Sequence, residues 1–143
     1  MEIKLSDKDA NCYVCGSDNP FGLHVVFSPF GEGGSRATYT VRPEHAGWQG
    51  LLHGGLAFTL MDEALGWALY YQNMRGVTAR SEVRFRAPIP VGTPLVITAS
   101  IQKRARRLVT ARAEVRRDDE QAAPLVELDA TLYLMKFPPP EGP

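Results

Sequence analysis

Apolar and polar residues alternate with a period of two along four stretches of this chain, and one longer stretch breaks the rhythm. In 77–87, Val77, Ala79, Val83 and Phe85 alternate with Thr78, Arg80, Glu82, Arg84 and Arg86. In 95–102, Leu95, Ile97, Ala99 and Ile101 stand against Thr98, Ser100 and Gln102, and in 109–116 Val109, Ala111, Ala113 and Val115 stand against Thr110, Arg112, Glu114 and Arg116. The run 125–135 sets Val126, Leu128, Ala130, Leu132 and Leu134 opposite Glu127, Asp129 and Thr131. Each pattern predicts a strand with one apolar face, and their succession through short turns predicts an antiparallel sheet solvated on the other face. Two shorter runs, 23–27 (LHVVF) and 35–41 (SRATYTV), predict a leading hairpin, because the FGEGG between them supplies turn glycines.

The exception is 54–71, long, free of proline and rich in Leu, Ala and Met, which predicts a helix. Its apolar residues occupy nearly the whole circumference, so it is expected to be buried all round. The economical arrangement is an α+β fold, a curved antiparallel sheet wrapped around one central helix. One sheet leaves part of such a helix uncovered, and a second copy of the chain is the expected cover. Residues 1–137 read as a single domain, with 1–20 a leading loop and 138–143 (PPEGP preceded by another proline) an irregular tail.

Composition narrows the partners. Sixteen basic residues balance sixteen acidic ones in 143, which gives no electrostatic case for nucleic acid or a membrane surface. No GxxxxGK[ST] loop and no aromatic interleaving of the basic residues are present. The charged N-terminus MEIKLSDKDA lacks the apolar core of a secretory signal, no run is long enough for a membrane span, and two cysteines make no disulfide framework. The expectation is a cytoplasmic protein acting on a small partner, without cofactor.

CYVC at 12–15 invites a zinc or redox reading. Structural zinc wants four ligands, the other soft candidates are His24, His45 and His53, and no second CxxC exists. A thioredoxin-like pair is expected to open a helix, whereas this one runs into GSDNPFG. Loop packing is the expected role, with no metal bound. Arg84, Arg86 and the KRARR of 103–107 read either as a solvated sheet face or as a phosphate grip at a strand corner.

The stretch GLLHGGLAFTLMDEALGW, residues 50–67, carries the candidate chemistry. A glycine pair at a helix start lets a ligand approach amides that have no internal acceptor, an oxyanion-binding terminus. Asp62 lies eight residues after Gly54, roughly 12 Å along the axis. An acid that far away cannot attack a carbonyl held at those amides, so if both groups act on one carbonyl the acid is expected from a second subunit; the alternative is a carboxylate buried beside a satisfied partner or exposed at an interface. Glu63 points about 100° away from Asp62 and takes a hydrogen-bonding role instead.

HGGLAFTLMDEALGW, VTARSEVRFRAPIPVG and RARRLVTARAEV together resemble hotdog-fold acyl-CoA thioesterases of the phenylacetate-pathway (PaaI) type, and CYVCGSDNPFGLHVVF resembles the leading segment of a bacterial subset of them. The resemblance covers 12–135. It implies a dimer or dimer of dimers and an acyl-CoA substrate. It places the catalytic acid nine positions after the motif histidine His53, at Asp62, acting as nucleophile or as general base on water. It makes the Gly54 amide, with Gly55 nearby, the donor that polarises the thioester carbonyl, has His53 shape the helix start, and gives Thr78 a positioning role. Phe58 is a candidate acyl-tunnel wall and Arg86 or Arg106 a candidate contact for coenzyme A phosphates. Relatives with Asn or Gln six residues before the histidine meet Gly47 here, with Gln49 two residues on as the substrate-binding candidate. A non-catalytic acyl-CoA binding module and a hotdog hydratase are the alternatives; Asp62 argues against the first, and the absence of a hydratase histidine motif against the second.

Overall fold

A computed structural model describes residues 7–119 and 121–136. The tail 138–143 and residues 1–6 of the leading loop lie outside the described residues. Six strands, β1 (Ser28–Phe30), β2 (Gly34–Thr40), β3 (Gly76–Phe85), β4 (Pro94–Ala105), β5 (Leu108–Arg117) and β6 (Val126–Leu134), and one helix, α1 (Gly54–Tyr71), carry the fold. The strands form one sheet in the order β1-β2-β4-β5-β6-β3, every neighbouring pair antiparallel. Among the described residues no helix is long and apolar enough to cross a membrane.

The helix spans 54–71 as its composition predicts, and Asn73 in the left-handed region (φ 56) turns the chain toward β3. Its buried stripe, Ala57, Leu60, Met61, Ala64, Leu65, Ala68 and Leu69, follows helical spacing and rests on Ile97, Ala99, Ala111, Ala113, Leu128 and Ala130 of the central strands, all buried. Three alanines at the centre of β4 and β5 keep that face shallow where the helix crosses it. The buried Ser35 hydroxyl donates to the Ala64 carbonyl at 2.6 Å, tying β2 to α1.

Two expectations need correction. Residues 23–27 are not a strand: the hairpin's first arm is only β1, and 23–27 run beside the leading loop, with Leu23 N–H donating to Tyr13 O and Val25 N–H to Val14 O, each at 2.8 Å. The alternation in LHVVF is nevertheless genuine, because Leu23, Val25 and Phe27 are buried while His24 and Val26 are exposed. They pack with Val14 in the common core, and Phe27 stacks on Trp67 of α1. The chain thus covers part of its own helix, where Glu63 and Trp67 touch Lys8, Cys12 and Phe27, whereas Phe58 and Asp62 lie on another flank and are half-buried rather than sealed.

The second correction concerns β3. Its pairing with β6 slips between Thr78 and Arg80, leaving Ala79 as a bulge. Thr78 opposes the buried Leu132, while Val77 opposes the exposed Tyr133. The bulge therefore inverts the face that strict alternation assigns to Val77 and Thr78, and re-aims Thr78 toward the helix. Among the described residues the outer edge of β3 has no strand partner.

Candidate active site

The start of α1 is braced from both sides. His53 N–H donates to His45 O at 3.0 Å, Leu52 N–H to Ile89 O at 2.8 Å and Val91 N–H to Gly50 O at 2.9 Å, so the 46–52 loop is clamped to the PIPV turn. His45 is itself buried and hydrogen-bonded through Nδ1 to the Tyr39 hydroxyl. Burial, and then the Arg42 charge, hold its pKa below the usual histidine range.

His53 caps the helix: its Nδ1 accepts from Gly55 N–H at 2.9 Å, and its carbonyl accepts from Leu56 and Ala57 at 3.0 and 3.2 Å. The Gly55 amide is therefore used internally. Among the described residues the Gly54 amide has no acceptor, leaving it the open donor of the first turn. The glycines here have steric causes. A Cβ on Gly55 would sit 3.0 Å from the His53 ring, and one on Gly47 would sit 3.1 Å from the His53 Cα, so Gly47 gives His53 its room.

Gly54 opens into a cleft of about 480 Å³ lined by Trp48, Leu52, Ala57, Phe85, Arg86 and Ile89. A neighbouring hollow of about 540 Å³ shares Trp48, Leu52, Gly54 and Phe85 and reaches His53 and Gly55. Apolar walls around a single backbone donor suit an acyl group whose carbonyl seeks a hydrogen bond.

Asp62 lies two turns further along α1. The Thr78 hydroxyl, brought inward by the Ala79 bulge, donates to Asp62 Oδ1 at 2.5 Å. Phe58, one turn before Asp62, packs partly buried against the core, and Met61 and Leu65 belong to the core itself. Glu63 faces the other flank, 2.9 Å from Lys8 Nζ and 3.5 Å from Cys12 Sγ. The two adjacent acids thus serve different neighbourhoods. Nothing local to MDEA predicts the Lys8 and Cys12 contacts, which close over more than fifty residues.

The remaining predicted residues are spread out. Gln49 is exposed in the 46–52 loop. Arg86 lines the cleft, yet its Nε donates to Glu127 Oε2 at 2.7 Å. Arg106, with φ 57, forms the β4–β5 turn, next to Leu108, which pairs Tyr133 and through it Val77. That is the end of the sheet where α1 finishes, whereas Gly54 packs near Phe85 at the other end.

Glu127 yields a pH prediction. It is nearly buried between Arg86 and Arg112 Nη2, the latter at 3.0 Å. The Arg86 hydrogen bond, with the charges of both arginines, holds its carboxyl below the usual 4.5. A depressed folded-state pKa contributes stability above the unfolded value, and that contribution is lost as pH falls through the folded one. Thermal melts between pH 5 and pH 3 are expected to show a smaller loss of Tm for Glu127→Gln than for wild type; equal slopes contradict this role.

An antiparallel sheet curled around one long helix is the hotdog arrangement of α+β proteins. The sequence model of the Thioesterase superfamily matches residues 49–123, more than half of the chain, and the chain belongs to that family. It is 29% identical to the acyl-coenzyme A thioesterase THEM4 of Bos taurus over 96% of its own length and 55% of that protein. Among solved structures it resembles RHA08564, a thioesterase superfamily protein, with 28% identity and a TM-score of 0.79 over 88% of this chain and 61% of that one. The PaaI protein of E. coli, from the phenylacetic acid degradation operon, shares the fold at 21% identity, with a TM-score of 0.73 over 80% and 82% of the two chains. The chain spans about half the length of the curated relatives it matches.

Proposed function

We propose that this chain hydrolyses an acyl-CoA thioester to a carboxylic acid and free coenzyme A in a site shared by two subunits. The carbonyl oxygen accepts from the Gly54 amide of one subunit, and Asp62 of the other acts on the carbonyl carbon. Either Asp62 Oδ2 attacks directly, expelling the thiolate and leaving a mixed anhydride that water opens, or Asp62 takes a proton from the water that attacks. Thr78 holds Oδ1 and so leaves Oδ2 for the reaction. The observation that carries the reading is the open Gly54 donor in an apolar cleft, with the family's acid held by a threonine two turns away on the same helix.

The shared site follows from that separation, and surface composition supports it. Trp48, Phe85 and Val77 are 84%, 59% and 47% exposed around the cleft and along the unpaired β3 edge. A second copy aligned on this edge covers them and brings its own Asp62 to the cleft. The naming of THEM4 as an acyl-coenzyme A thioesterase supports acyl-CoA as the substrate class. The test is thiol release from a panel of short, long and aromatic acyl-CoAs, read with a thiol reagent and by mass detection of the acid. Release well above the uncatalysed rate for at least one acyl group is expected; binding of acyl-CoA without release from any of them overturns the hydrolytic reading.

A further inference from the structure

On the opposite flank of α1 from Thr78, the fold gathers two thiols and a carboxylate that the proposed hydrolysis does not use. Cys12 Sγ, Cys15 Sγ and a Glu63 carboxylate oxygen lie within 4.8 Å of one another, each on a half-buried residue. The cysteine loop is built tightly. Gly16 N–H closes it on Cys12 O at 2.9 Å, and a Cβ on Gly16 would lie 2.4 Å from both Ala10 O and Cys12 N, so only glycine fits after Cys15. Cys15 N–H points at Cys12 Sγ at 3.5 Å, an amide placed to stabilise negative charge on that sulfur.

We propose that Cys12, Cys15 and Glu63 form a binding site for one thiophilic divalent cation of the zinc class, which staples the leading loop to α1. The spacing fits: sulfur at about 2.3 Å and oxygen at about 2.0 Å from a tetrahedral zinc stand about 3.5 Å apart, and Cys12 Sγ stands 3.5 Å from Glu63 Oε1. Charge fits as well. Two thiolates and a carboxylate carry three negative charges, the cation removes two, and the Lys8 ammonium beside Glu63 balances the third. Each thiol gives its proton to solvent as its metal–sulfur bond forms, with no oxidant required, and the fourth position is left to water. Counting cysteines and histidines along the sequence excludes this site, because its third ligand is a glutamate 51 residues from Cys12.

The site shares no residue with the proposed Asp62 and Gly54 chemistry, so the two readings fail independently. The test uses the full chain, reduced and stripped with chelator, titrated with Co2+ and then Zn2+. One equivalent of Co2+ per chain is expected to give sulfur-to-metal charge-transfer absorption that Zn2+ abolishes. A hundredfold excess of Zn2+ over Kd is expected to raise Tm by roughly 5–10 °C. Cys12→Ser and Cys15→Ser are expected to lose the absorption, and Glu63→Gln to weaken binding at least about tenfold, with metal-free melts of all three checked against wild type to show that they fold. Absence of the charge-transfer band at one equivalent overturns the proposal. So does unchanged affinity in Glu63→Gln, which reduces the pair to an adventitious dithiol.

Discussion

Asp62→Asn is expected to lower kcat/KM for the best acyl-CoA by roughly 10²–10⁴-fold, the range associated with losing a positioned acid–base group. The change is nearly isosteric and leaves an oxygen to accept from the Thr78 hydroxyl, which now donates to Asp62 Oδ1 at 2.5 Å. Packing against α1 is therefore retained, and Tm is expected to stay within a few degrees of wild type. What disappears is the basic, nucleophilic carboxylate oxygen, so KM is expected to change far less than kcat. Activity within about threefold of wild type, measured by thiol release on the folded variant, would remove Asp62 from the chemistry.

Gly54→Pro is the second large effect. Proline deletes the amide proposed to hold the oxyanion, at the first helical position, where proline is tolerated. His53 stands at φ −60 and ψ 128, the extended conformation that a residue before proline prefers. The helix should therefore form while losing its open donor. Removal of one oxyanion donor costs about 10²–10³-fold in kcat. A side chain at 54 also meets the Phe85 ring, with a Cβ 3.3 Å from Cε1. Gly54→Ala makes that contact and keeps the N–H, and it is expected to retain activity within a fewfold. Equal damage from Ala and Pro would assign the loss to Phe85 rather than to the amide.

Much of this arrangement is visible in the residues, and what is not visible has identifiable causes. The bounds of α1 follow from composition and length, and the core faces of β4, β5 and β6 follow from alternation, because both are local properties. LHVVF misleads because burying alternate residues needs only a neighbour, and the neighbour is a loop making two hydrogen bonds rather than a strand. Thr78 turns inward because one bulged residue shifts the phase of β3, and a bulge has no signature in VTARSEV. At Gly47 an added Cβ would lie 3.1 Å from the His53 Cα, a crowding that residue spacing does not reveal. For the two acids, spacing separates their directions, but which of them meets a threonine and which meets Lys8 and Cys12 depends on contacts distant in sequence.

The shared site is tested most directly by mixing two inactive proteins. Asp62→Asn and Gly54→Pro chains, co-expressed with different tags so that mixed dimers can be isolated, place an intact Asp62 on one subunit and an intact Gly54 on the other. If the site is built across the interface, each mixed dimer regains one wild-type site and one doubly altered site, so random pairing restores about a quarter of wild-type activity. Purified mixed dimers should then reach about half of it. Mixed dimers no more active than their parents would contradict the account and place Asp62 and Gly54 in the same subunit's site.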